Sequence, residues 1–192
     1  MREAVFERKT RETFISVKLN LDKTGESDIS TGIGFFDHML NLLVFRAKVS
    51  MGLKCQGDLH IDGHHSIEDV GICMGTVLRN ALGDKIGIVR YGAASMPMDE
   101  ALVNVALDIS GRGFLVFNAE IPAEKCGDFQ TEEVEEFFRA FAINAGITLH
   151  INLAYGKNSH HIIEAIFKAV GCAVGDAIRI SGTEISSTKG VL

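Results

Sequence analysis

The chain's 192 residues are 46% hydrophobic and 23% charged with only two prolines, enough for one ordered domain with a real core, which excludes a disordered protein. A net charge of −6 argues against nucleic acid as the main partner, and no run approaches the roughly eighteen apolar residues of a membrane span. The amino terminus, MREAVFERKT, lacks the apolar run of a signal peptide, and Cys55, Cys73, Cys126 and Cys172 form no CxxC pair, so a cytoplasmic protein with reduced thiols is expected.

Residues 4–9 and 13–21 alternate apolar and polar side chains, the pattern of half-buried strands. Asp22–Gly25 turns the chain, and a polar, glycine-bearing stretch leads to a helix from Phe35 to about Ala47. A strand over 48–55 and a helix from His64 to about Leu82, closed by Gly83-Asp84, complete a first half. After a linking strand and loop (86–98) the rhythm restarts: a strand at 101–109, a turn at 110–113 and a return strand at 114–121. A polar loop (122–130), a helix over 132–144, a strand at 147–153 and a helix to about Ala173, followed by Gly175-Asp176, end the second half.

The two halves share a word. Residues 64–68 read HHSIE and residues 160–164 read HHIIE, an offset of 96, whereas the Gly-Asp pairs are offset by 92. That difference is about one helical turn, so the first helix is expected to be one turn longer. Duplication and fusion account for the pattern. The fold class expected is α/β (α+β), one catalytic domain over 1–192 built from pseudo-repeats of about 1–90 and 91–192, each a small mixed sheet with helices on one face.

On a helix, residues four apart share a face, so each HHxxE word presents imidazole and carboxylate together. Two such words at matching helix starts are poorly explained by packing, because histidine is neither a good helix former nor a good core residue. His38, His64, His65, His150, His160 and His161 with Glu68 and Glu164 would supply three imidazoles and one carboxylate to each of two divalent ions, leaving positions open for substrate. Consecutive histidines project about 100° apart, which assigns His64 and His65 to different ions. Asp37, Asp62 and Asp69 are either acceptors for imidazole N–H groups or solvated, capping carboxylates. Arg90, Arg112, Lys157 and Lys189, in or beside glycine-bounded loops, with Ser186, Ser187 and Thr188, are the donors a phosphate monoester requires. Without GxxxxGK[ST] or a strand-borne GxGxxG, a nucleotide-binding fold is not supported.

These words together resemble the imidazoleglycerol-phosphate dehydratase family in its monofunctional form. They are RxTxET at Arg8–Thr13, TGIGFFDHML at Thr31–Leu40, GDLHID and HHSIED within Gly57–Asp69, and DEAL at Asp99–Leu102. SGR at Ser110–Arg112, TLHI and GKNSHHIIEAIFKA within Thr148–Ala169, and SSTKGVL at Ser186–Leu192 follow in the family's order. The resemblance implies a fold like domain 2 of ribosomal protein S5. It implies dehydration of D-erythro-imidazole glycerol phosphate to imidazole acetol phosphate in histidine biosynthesis, through a metal-bound imidazolate and a diazafulvene. It implies two manganese ions per site, and sites shared between subunits of a homo-oligomer of twenty-four chains. By position Glu12 matches a substrate-contacting glutamate, and Arg90, Arg112, Lys157, Ser187 and Lys189 match phosphate contacts. Glu12, Glu68 and Glu164 are the candidates for proton transfer. Leu42, Arg46-Ala47 and Gly63 depart from the residues common in the family, around the phosphate and before the first HH word. The 192 residues leave no room for the phosphatase domain of bifunctional members. A dinuclear phosphoesterase and a metal-storage oligomer are the competing readings of the same ligands.

Overall fold

The computed structural model describes residues 1–190 and 192; Val191, inside the SSTKGVL word, lies outside the described residues. Two four-stranded sheets repeat one topology. β1 (Glu3–Lys9), β2 (Thr13–Asn20), β3 (Ser27–Ser30) and β4 (Ser50–Gly57) lie in the order β1-β2-β4-β3. β5 (Tyr91–Met98), β6 (Ala101–Asp108), β7 (Phe114–Asn118) and β10 (Thr148–Tyr155) lie in the order β5-β6-β10-β7. In each sheet the last pair, β3 with β4 or β7 with β10, is parallel and the others antiparallel. Period-two alternation explains the strands: Ile15, Val17 and Leu19 of β2, and Ala101, Val103, Val105 and Leu107 of β6, point into the core.

The helices fill the space between the sheets. α1 (Gly34–Ala47) packs on α4 (Ser159–Ala177), and α2 (His64–Leu82) packs on α3 (Glu133–Ala145), so each HH helix lies against the first helix of the other half. The halves therefore share one core. Glycine permits the close crossings: a Cβ on Gly75 would stand 2.5 Å from the Phe141 carbonyl oxygen, and one on Gly175 would stand 2.8 Å from that of Ala47. Phe36 of α1 meets Phe167 of α4 edge-on at 6.4 Å, and Phe137 of α3 stacks on Phe167 at 5.4 Å. This aromatic cluster sets α1 against α4 two residues before His38 and three after Glu164.

Several expectations are corrected. α2 and α4 are both 19 residues long, so no extra turn exists. Gly83 ends α2, whereas Gly175 is an interior glycine kept small by the Ala47 backbone, so the two Gly-Asp pairs are not equivalent. The segment 114–118 does not return beside β6; it crosses the carboxyl end of α3 and pairs in parallel with β10. The polar stretch 27–30 forms the edge strand β3, where only Ile29 packs inward, and β8 (Lys125–Cys126) with β9 (Phe129–Gln130) makes a small hairpin in the loop 122–130. Among the described residues no helix is long and apolar enough to cross a membrane.

Candidate active site

The amino ends of the four helices gather at one pole. Gly63, preceding α2, packs between Ile33, which precedes α1, and Glu133, which begins α3; a Cβ there would stand 3.2 Å and 3.3 Å from them. At the start of α4, His160 meets Phe35 of α1 edge-on at 5.1 Å. Both HHxxE words thus open on the same end of the molecule.

At α4 the side chain of Asn158 accepts the backbone N–H groups of His160 and His161, which starts the helix at the histidines. His160 Nε2 lies 3.3 Å and His38 Nε2 3.7 Å from Glu164 Oε2. Among the described residues, these three form the one group whose nitrogen and oxygen ligand atoms all lie within 4.8 Å of one another. Two imidazoles and a carboxylate so placed fit a divalent transition ion. The other oxygen, Glu164 Oε1, pairs with Lys168 Nζ at 2.5 Å, one turn along the helix. Burial alone would raise the Glu164 carboxyl, but the hydrogen bond and charge of Lys168, helped by His160 and His38, outweigh it and hold the group below its usual range.

At α2 the cap differs: Asp62 Oδ1 accepts the His64 N–H at 3.0 Å. His65 Nδ1 lies 3.1 Å from Asp58 Oδ2, and its Nε2 lies 3.9 Å from Glu12 Oε1. In the second half His161 Nδ1 takes the matching role, 2.7 Å from Glu100 Oε2. These hydrogen bonds raise the pKa of both imidazoles, and His161 pulls Glu100 down to about 2. An acceptor on Nδ1 leaves the Nε2 lone pair facing outward, the tautomer a metal ligand needs. The paired rings diverge as consecutive helical residues should, with centroids 6.2 Å apart at His64–His65 and 6.3 Å at His160–His161. His64 is exposed, and Glu68 is half-buried with no ion pair among the described residues.

The imidazole acceptors are Asp58 and Glu100, so for Asp37, Asp62 and Asp69 the acceptor alternative falls and, for Asp62, the capping one holds. Asp37 holds the backbone and hydroxyl of Thr31, Asp62 caps α2, and Asp69 binds Arg8 and Thr13. Asp58 and Glu100 stood inside the GDLHID and DEAL words without a role, and Lys168 was readable only as a charge one turn beyond Glu164.

The cations occupy the opposite pole. Arg90 N–H bonds the carbonyl of Ala177, the last residue of α4, and its guanidinium grips Asp108 twice (2.7 Å and 3.0 Å) and the Ser186 carbonyl (2.8 Å). Arg112 lies at the far end of α3, where a Cβ on Gly113 would stand 2.4 Å from Ile143 Cα. The tail bearing Ser187 and Lys189 is pinned beside Arg90, with Lys189 N–H on Ser187 Oγ at 3.2 Å. Lys157 is not with them, for its backbone N–H binds Glu100 at the pole of the helix amino ends. His150 also stands apart, exposed on the outer face of β10 and paired with Ala106 and Val116. Seventeen helical steps from His160 to Ala177 span about 25 Å, so one chain does not bring Arg90 to the ligand cluster.

The whole arrangement has counterparts. The sequence profile for imidazoleglycerol-phosphate dehydratase matches residues 31–174. The imidazoleglycerol-phosphate dehydratase of an Exiguobacterium species is 53% identical over 99% of this chain and 98% of its own, and that of Acetivibrio thermocellus is 57% identical over 96% of each. The crystal structure of the Staphylococcus aureus enzyme superposes with a TM-score of 0.85 at 45% identity, covering 93% of this chain and 99% of that one. The Pyrococcus furiosus enzyme also gives 0.85, at 36% identity, covering 97% and 100%. With motifs, topology and near end-to-end similarity in agreement, the chain belongs to the imidazoleglycerol-phosphate dehydratase family of hydro-lyases.

Proposed function

We propose that the chain removes water from D-erythro-imidazole glycerol phosphate to give imidazole acetol phosphate, a step of histidine biosynthesis, using two manganese ions per site. The observation that carries this reading is the convergence of His38, His160 and Glu164 beneath an open pole. His65 and His161, oriented by Asp58 and Glu100, present Nε2 at the same pole for further coordination. When bound, the ions supply Lewis-acid polarisation of the substrate's azole and a template for it. That help is needed because the proton to be lost lies beside a hydroxyl-bearing carbon with no carbonyl adjacent, so a base alone is slow.

The residues divide the remaining work. Both oxygens of Glu164 are engaged, one by Lys168 and one facing the imidazoles, which suits a ligand rather than a proton carrier. Glu68 has no ion pair among the described residues but is half-buried in the HHxxE word with the imidazoles, whereas Glu12 is half-exposed and 3.9 Å from His65 Nε2, so Glu12 is assigned to carry a proton to or from a substrate carbon. Arg90 uses three of its five N–H groups within the chain, and on this reading the others, with Arg112, Ser187 and Lys189, take the phosphate. Because about 25 Å of α4 separates these groups from the ligand cluster, far more than a three-carbon phosphate ester spans, each site takes its phosphate pocket from another copy of the chain. That is the geometric support for a homo-oligomer with shared sites, and twenty-four chains is the size the family resemblance implies.

The test is turnover of imidazole glycerol phosphate by chelated protein before and after manganese. Manganese-dependent ketone with phosphate retained is expected. Release of inorganic phosphate would point to a phosphoesterase, and no product from fully loaded, assembled protein would overturn the reading.

A further inference from the structure

Asp69 directly follows Glu68 in the first HHxxE word, yet it serves neither imidazole. It is 7% exposed and turned toward the sheet beneath α2. Its Oδ2 accepts from Arg8 Nη1 and from Thr13 Oγ1, each at 2.5 Å. Both donors belong to the tip of the β1–β2 hairpin, the stretch Arg8-Lys9-Thr10-Arg11-Glu12-Thr13 that carries Glu12.

The hydrogen-bond directions in this tip are set by chemistry. An ionised carboxylate only accepts, so the Thr13 hydroxyl proton goes to Asp69. Between Thr10 and Thr13 Oγ1 the donor is then Thr10, whose hydroxyl has this oxygen at 3.2 Å as its nearer acceptor and the Thr13 carbonyl at 3.5 Å as its other. Thr10 Oγ1 in turn accepts the backbone N–H of Glu12 (3.1 Å) and of Thr13 (2.9 Å), and Thr10 N–H closes the turn on the Thr13 carbonyl at 2.9 Å. The result is a one-way relay from the Glu12 backbone through two hydroxyls to one buried carboxylate, with Arg8 balancing its charge. Bonds aligned head to tail polarise one another and hold the turn in one geometry.

We propose that Asp69, acting through Thr13 and Thr10, is a positioning residue that fixes Glu12 over His65 for proton transfer. The inference rests on the assignment of proton transfer to Glu12 made above. It gives Arg8, Thr10 and Thr13 a common purpose, which is to aim one carboxylate, and it ties the hairpin tip to the same helix that carries His64, His65 and Glu68. A displacement of about 1 Å at a reacting group costs up to about 100-fold in rate, so loosening the tip should be read in kcat.

The experiment compares Thr13→Val, Thr13→Ser, Asp69→Asn and Glu12→Gln in the manganese-loaded assembled enzyme, alone and with Glu12→Gln combined. Thr13→Val keeps the side-chain shape and the Arg8–Asp69 pair but cuts the relay, so it serves even if Asp69→Asn folds poorly. Expected are a kcat loss of about 10- to 100-fold for Thr13→Val, KM within about twofold of the parent, unchanged manganese per chain, and recovery in Thr13→Ser. On the Glu12→Gln background Thr13→Val should cost less than about twofold more, because residues acting as one unit are not additive. Losses that multiply, or a fall in bound manganese that accounts for the lost rate, would overturn the proposal and make Asp69 a prop for the fold or for Glu68. Near-normal turnover by Glu12→Gln itself would instead remove Glu12 from proton transfer, and the positioning role would fall with it.

Discussion

Glu133 offers a sharp test of the energetics at the pole where the helix amino ends gather. It is 1% exposed; among the described residues its Oε1 has no hydrogen-bond partner, and its Oε2 accepts only the Gln130 N–H at 3.3 Å. Its Oε1 faces Gly63, and although the charges of Asp62, His64 and Glu132 also act on it, burial is the largest influence on the carboxyl. An unsatisfied buried acceptor costs about 1–3 kcal/mol, while position in the first turn of α3 returns about 0.5 kcal/mol through the helix dipole. Replacing Glu133 with Leu removes the orphaned oxygen and adds apolar packing, at the loss of one long hydrogen bond of about 1 kcal/mol. The net expectation is a gain of about 1–2 kcal/mol at neutral pH, or about 3–6 °C in Tm for a chain of this size.

The gain should depend on pH in a definite sense. Burial pushes the Glu133 carboxyl above its ordinary value of 4.5, so the folded chain holds this proton more tightly than the unfolded chain. Parent stability from this group is therefore intact below about 4.5 and is lost as pH rises from there through the folded pKa. Urea unfolding of chelated parent and Glu133→Leu, at one chain concentration, should show a gap that is widest at neutral pH and narrows as pH falls toward 4.5. A variant less stable than the parent at both pH values would refute the reasoning and show that Oε1 is satisfied in solution.

Gly75→Ala should cost about 1–3 kcal/mol or prevent folding, because its Cβ would meet backbone atoms of α3 at 2.5 Å and 2.8 Å, whereas Gly52→Ala, with nothing within 4 Å, should be near neutral in the same unfolding assay. Asn158→Ala should cost about 1 kcal/mol and weaken manganese binding in a calorimetric titration, since the cap holds both His160 and His161 N–H groups. Glu100→Gln should lower the pKa of His161 in histidine-selective NMR of chelated protein; Glu100 stays ionised down to about 2, so the parent imidazole meets a full carboxylate throughout its own titration. Chains carrying His160→Ala and chains carrying Arg112→Ala should be inactive apart, but on reassembly together should regain up to about a quarter of the parent rate, because random pairing completes that share of two-chain sites. A mixture that stays inactive would mean that each site draws on one chain.

The duplicated topology was legible because hydrophobic period distinguishes strand from helix: Ile15-x-Val17-x-Leu19 and Val134-xx-Phe137-Phe138-xx-Phe141 declare their buried faces directly. The HHxxE words declared their chemistry by residue type. What stayed hidden was tertiary. Nothing local marks Gly175 as an interior glycine, since the reason is the Ala47 backbone of another helix. The strand 27–30 has one apolar residue and is defined by its backbone pairing with β4. Asp58 and Glu100 become imidazole acceptors only once the start of α2 is folded against the GDLHID loop and the start of α4 against the β5–β6 turn.

The separation of the two poles follows from the same crossing of halves. Because α1 runs alongside α4 and α3 alongside α2, all in one direction, the free N–H ends of four helices face one pole and their carbonyl ends face the other. Helix dipoles favour carboxylates at the first pole and cations at the second, which is where Glu12, Glu68 and Glu164 stand and where Arg90, Arg112 and Lys189 stand. The duplication that gathers the candidate metal ligands at one pole thus also removes the candidate phosphate donors from them. On the shared-site reading, an isolated chain holds ligands without a phosphate pocket and a phosphate pocket without ligands. Joining unlike poles of two copies cures both deficits at once. Assembly is then a condition of catalysis, and whatever shifts the subunit equilibrium by mass action shifts activity with it.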